Sequence, residues 1–84
     1  MAYPLFSRVS LAEDLPEYGL QKGDLATIVE RHKGGLGQET GYSLEVFNAL
    51  GKTINVIVVA ESRILPVQAD EILQVRRLET AAAL

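Results

Sequence analysis

The side chains able to do chemistry in this chain are few and scattered. His32 is the only histidine, and an imidazole works as a general base or metal ligand only with partners. No carboxylate pair stands around it at the i, i+4 spacing of a helical metal site, so it reads as a solvated side chain at the end of a strand. Glu13, Asp14 and Glu17 crowd carboxylates into one stretch, and neighbouring carboxylates split their pKa values in the way proton transfer requires. Pro16 and Gly19 lie in the same stretch, which marks a solvated acidic loop instead. Gly51-Lys52-Thr53 resembles the end of a phosphate-binding loop, but that motif needs a glycine five positions before Gly51. Val46 stands there. A β-branched run follows in place of the helix whose N-terminus would hold phosphate, so these residues read as a hairpin turn.

Gly34, Gly35 and Gly37 lack the dinucleotide-binding spacing and have no βαβ unit around them; they read as a flexible loop. Arg8, Arg63, Arg76 and Arg77 make a basic patch only if the fold gathers them. With Tyr3, Phe6, Tyr18, Tyr42 and Phe47 as the only aromatics, they offer a thin stacking platform for RNA. No nucleophile, base and orienting group can be placed together. The expectation is therefore no catalytic residue, no cofactor, no metal and no small-molecule substrate.

The elements that must position these residues are short. Residues 6–11 form a first strand candidate, and residues 13–19 a loop broken by proline and glycine. Gly23-Asp24 is a turn signal, with Asp24 bonding nearby backbone, before a second strand at 25–31 rich in β-branched residues. Residues 32–41 carry four glycines and read as a long hairpin connection. Across 42–48, Tyr42, Leu44 and Val46 alternate with Ser43, Glu45 and Phe47. One face of that third strand is core. A tight turn at 48–52 leads into a fourth strand at 53–59, then a turn or single 3₁₀ turn at 61–63, then a brief extended piece before Pro66. Residues 70–78 fit a helical face through Ile72, Val75 and Leu78, capped by Asp70, and a strand through Leu73 and Val75. The strand is the favoured reading.

Composition agrees with this picture. The chain has 84 residues, 48% of them hydrophobic and 23% charged, the ratio of one small folded domain. Its net charge of -3 makes nucleic acid a disfavoured partner. The absence of cysteine excludes disulfides, thiolate nucleophiles and cysteine-bound zinc. The first residues have no export-signal pattern. The longest apolar run, residues 56–60, is far below the roughly 18 residues of a membrane helix. A cytoplasmic protein without a membrane partner is expected.

The run Asp14-Leu15-Pro16-Glu17-Tyr18-Gly19-Leu20, continuing through Lys22-Gly23-Asp24 to Glu30, resembles the small bacterial family catalogued as domain of unknown function 4926. Tyr42-Ser43-Leu44-Glu45-Val46-Phe47, Gly51-Lys52-Thr53 and Ile64-Leu65-Pro66 fall where that family's pattern places them, so the resemblance covers residues 5–78. It implies a compact barrel and a bacterial origin, and it brings no catalytic residues. It also implies an accessory, antitoxin or immunity role beside a larger toxin-like or nuclease-like gene product.

The sequence thus predicts an all-β fold: a small SH3-like barrel of four to five short antiparallel strands with an extended C-terminal segment. Residues 1–84 form a single domain with its core at 5–78 and a frayed tail at 79–84. The fourth strand is apolar on both sides, with Ile54, Val56 and Val58 on one and Ile57 and Val59 beside Asn55 on the other. Covering Ile57 and Val59 would be worth roughly 1.5 to 3 kcal/mol each. Either the C-terminal segment covers them through Leu73 and Val75, or a second molecule does. The expected function is a non-catalytic protein–protein interaction module using Ile57, Val59, Leu73 and Val75. Its expected partner is a second copy of the chain or a larger protein encoded nearby. The alternatives are an antitoxin or immunity protein offering the contact loop Glu13, Asp14 and Glu17 to a basic site, and an RNA-binding barrel.

Overall fold

Strict alternation of apolar and polar residues gives a strand one wet and one dry face, and the stretch Gly41–Phe47, which alternates in this way, lies inside the sheet with a strand on either side. A computed structural model describes residues 3–78. It contains β1 (Arg8–Leu11), β2 (Leu25–His32), β3 (Gly41–Phe47), β4 (Thr53–Ala60) and β5 (Ile64–Pro66), with 3₁₀ turns at Pro16–Tyr18 and Glu61–Arg63. All pairings are antiparallel, in the order β4-β3-β2-β1-β5.

Every strand sends residues into one core: Val9 and Leu11, Ala26 and Ile28, Tyr42, Leu44 and Val46, Ile57 and Val59, and Ile64. Leu15 and Leu20, from the excursion between β1 and β2, complete it. These two residues exchange backbone hydrogen bonds at 3.0 and 3.1 Å. The bonded pair carries both side chains into the apolar interior, where each is worth roughly 1.5 to 3 kcal/mol. The loop expected at 13–19 is thus a structured excursion pinned by its leucines.

The expected barrel is not borne out, because the sheet is open. β4 and β5 are the two ends of the strand order, and no ladder joins them. β5 is three residues long and pairs with β1 through Ile64–Leu11, Leu65–Ser10 and Pro66–Val9. Its last residue has no amide hydrogen to donate. A strand this short has too few groups to sustain a second ladder.

Two boundaries also differ. The first strand begins at Arg8 instead of residue 6, because Phe6 adopts a φ of 66°, a conformation that interrupts an extended chain. The strand expected at 70–78 is absent: residues 71–78 have no regular structure, and Glu71 N–H to Gln68 O, at 3.1 Å, is the only backbone pairing of that segment among the described residues. The short β5 offers it no ladder to extend. The tail expected at 79–84 lies outside the described residues. The long glycine connection between β2 and β3 is present, and Gly34 is required there, since a Cβ at that position would stand 2.3 Å from the carbonyl oxygen of Gln38.

Candidate interaction surface

The fourth strand is apolar on both sides, but its faces are the reverse of the expectation. Ile57 and Val59 are 2% and 4% exposed and belong to the core. Ile54, Val56 and Val58 face outward, with Val56 57% and Val58 60% exposed. The reason lies in register. Leu44 and Tyr42, which the alternation of β3 sends inward, stand opposite Ile57 and Val59, and residues paired across a ladder share a face. Phe47 lies on the outer side of β3 and is also exposed. The outer surface therefore carries Phe47, Ile54, Val56 and Val58.

The hydrogen-bond pattern shows what the strand offers along its free edge. Glu61 N–H donates to Thr40 O at 2.8 Å, which extends the register Gly41↔Ala60, Tyr42↔Val59 by one bonded pair. Bonded and non-bonded pairs alternate along an antiparallel ladder. Asn55, Ile57 and Val59 therefore turn their backbone groups toward β3. Val56, Val58 and Ala60 turn theirs away from the sheet. Val56 N–H accordingly goes to its neighbour's side chain, Asn55 Oδ1, at 2.9 Å.

The other expected contact residues are not gathered with these. Leu73 and Val75 are 57% and 90% exposed and do not cover β4. The C-terminal segment is tied down by Arg76, whose Nε donates to Asp24 Oδ1 at 2.8 Å while Nη2 bonds Oδ2. Burial alone would raise the Asp24 carboxyl, but the Arg76 hydrogen bond, the Gln21 N–H and the Arg76 charge outweigh it and hold its pKa below the ordinary value. In the acidic stretch, Glu13 pairs with Arg63 at 3.3 Å and Asp14 accepts the Lys22 N–H at 2.8 Å. Glu17 lies exposed in the 3₁₀ turn. Two members of that stretch are thus committed within the chain, and so are two of the four arginines considered for a basic patch.

Gly51-Lys52-Thr53 closes the β3–β4 hairpin. Asn48 Oδ1 accepts the N–H groups of Leu50 and Lys52, each at 2.9 Å, and Gly51 adopts a φ of 86° that a side chain would strain. His32 Nε2 lies 2.7 Å from Ser43 Oγ and 3.9 Å from Glu30 Oε1. Hydroxyl and carboxylate approach the same ring nitrogen, whereas a nucleophile–base unit needs its acid on the opposite one. The contact ties β2 to β3. No group of three metal-ligating side chains occurs among the described residues, and none of their helices is long and apolar enough to cross a membrane. A shallow open depression is lined by Tyr3, Pro4, Leu5, Val29, Glu30 and Arg31.

Sequence reasoning missed Tyr42 as a junction: its hydroxyl accepts the Tyr3 N–H at 3.0 Å and donates to Glu61 Oε2 at 2.7 Å. A phenol on an inward-facing strand position was the available signal, since a buried hydroxyl needs partners. It also missed Asp24–Arg76, for which residues 52 apart leave no local signal.

Fold and surface together define an all-β domain built on one open antiparallel sheet, with an apolar edge strand as its most conspicuous exposed feature. Residues 5–66 match the family described as Domain of unknown function (DUF4926), and the chain belongs to that family. No curated protein and no solved structure matches the chain.

Proposed function

We propose that this protein is a cytoplasmic, non-catalytic interaction module whose contact surface is the edge strand β4, with Ile54, Val56 and Val58 at its centre and Phe47 beside them. The observation that carries this reading is the uncharged strand Thr53–Ala60, which leaves three large aliphatic side chains exposed next to a backbone edge that no other described strand pairs with. Single exposed aliphatic residues are ordinary; a contiguous row of them on a strand edge marks a surface that binds protein. The partner is a second copy of the chain or a larger protein.

The antitoxin and RNA readings draw less support. Glu13 and Asp14 are engaged within the chain, so they add little to a contact with a basic active site. Arg63 and Arg76 face carboxylates, which weakens any phosphate-binding patch.

A photo-crosslinking residue at position 58, expressed in the native host, tests the proposal. Adducts mapped to β4 and absent when the same residue is placed at Glu17 are expected. Equal crosslinking at both positions, or none at 58, removes it.

A further inference from the structure

Edge strands in soluble proteins usually carry something that keeps them solitary: a charge, a proline, a bulge or very short length. β5, at one end of this sheet, is three residues long and ends in Pro66. β4, at the other end, is eight residues long and has neither charge nor proline. Its one irregularity is at Ile54, which the pairings Val46↔Asn55 and Phe47↔Thr53 pass over, so the stretch from Asn55 to Ala60 is regular and Ile54 bulges at its end. The backbone groups of Val56 and Val58 and the N–H of Ala60 point out of the sheet there, and among the described residues the Asn55 side chain covers the Val56 N–H.

From these features we infer that two copies of the chain join β4 to β4, antiparallel about a two-fold axis, merging two five-stranded sheets into one. This deepens the interaction reading above and rests on it. A contact of a strand with its own reverse is self-complementary by construction. Only residues whose backbone groups face the edge can bond across it, so Val56 and Val58 must meet residues of the same parity. With Val56 opposite Val56 on the axis, Ile54 stands opposite Val58 on both sides of it. Every pair on the outer face is then β-branched, a favourable cross-strand combination. The facing strands Thr53–Ala60 carry no charge, so nothing along the seam repels the second copy.

Sedimentation velocity over a concentration series tests the inference. A contact made mainly by one strand is small, so the expected behaviour is a reversible monomer–dimer equilibrium in the micromolar range. Val58→Pro removes an N–H that β3 does not use, and it should raise the dissociation constant at least about tenfold while leaving the monomer's circular dichroism unchanged. Val56→Lys places like charges opposite each other on the axis. It should weaken the dimer most at low salt, and it serves as the test if the proline variant does not fold. A wild-type chain that stays monomeric at about 1 mM overturns the inference, and so does a dimer that survives in the folded variants. A monomer that still crosslinks to another protein through position 58 overturns self-pairing while leaving the interaction module standing.

Discussion

At the scale of single residues, Tyr42 joins three parts of the chain. Its ring is buried in β3 and meets the Tyr3 ring edge-on, with centroids 5.7 Å apart, while its hydroxyl links the Tyr3 backbone to the carboxylate of Glu61. Desolvation raises the phenol's pKa and the neighbouring Glu61 carboxylate adds to this, although the Tyr3 N–H partly offsets them. Tyr42→Phe keeps the ring and removes both bonds, which should cost about 1 to 2 kcal/mol in urea denaturation at neutral pH. The pH dependence has a definite sign. Above about pH 10 an unfolded tyrosine loses its proton while the folded one retains it, so Tyr42 contributes a loss of stability as pH rises from there through the folded pKa. The wild-type advantage over Tyr42→Phe should therefore shrink above pH 10. A difference that stays constant to pH 11 would contradict the raised pKa. Other single-residue features were open to reading in the sequence: Asn48 and Gly51 supply the acceptor and the positive φ that a hairpin turn needs. Asp24–Arg76 was not, because nothing local to either residue announces the other.

At the scale of elements, the sequence located β2, β3, β4 and the 3₁₀ turn before β5 to within a residue or two, because turn residues and alternation bound each of them. It showed that β4 is apolar on both sides but not which side is inward. Valine and isoleucine occur on both, and the tie is broken only by the register with Leu44 and Tyr42. The reversal has a sharp mutational signature. Ile57→Ala should cost about 2 to 5 kcal/mol, the range for truncating a large aliphatic residue in a core. Val58→Ala should cost less than about 1 kcal/mol, the scale of strand propensity alone. Urea titrations in dilute solution, where self-association makes no contribution, will separate them. Equal costs would mean that the faces are not assigned as described. The strand expected at 70–78 failed for a related reason: apolar alternation at Leu73 and Val75 states a preference for extended structure, and extended residues become a strand only where a neighbouring edge is available.

At the scale of the whole molecule, closure was the property least legible in the sequence. A series of short strands with turns between them fits an open sheet as well as a barrel, and the distinction rests on whether the two end strands find each other. Here they do not, and this fixes how β4 should exchange its amide hydrogens. Ile57 and Val59 bond to β3 and should be slow; Val58 and Ala60 face the free edge and should be fast, while the Val56 N–H is covered, among the described residues, by the Asn55 side chain alone. Exchange measured residue by residue by NMR in dilute solution should therefore alternate along the strand, by at least about tenfold between neighbours if the edge opens to water. A closed sheet would protect both sets at every concentration, since a strand on the far side would occupy the second set of groups. Self-pairing through β4 gives a third pattern, in which Val56 and Val58 become slow only as the protein concentration rises and Ile57 and Val59 stay as they were. One experiment thus reads the topology from its dilute limit and the association from its concentration dependence. Uniform protection at both limits would contradict the open edge from which the proposed function is argued.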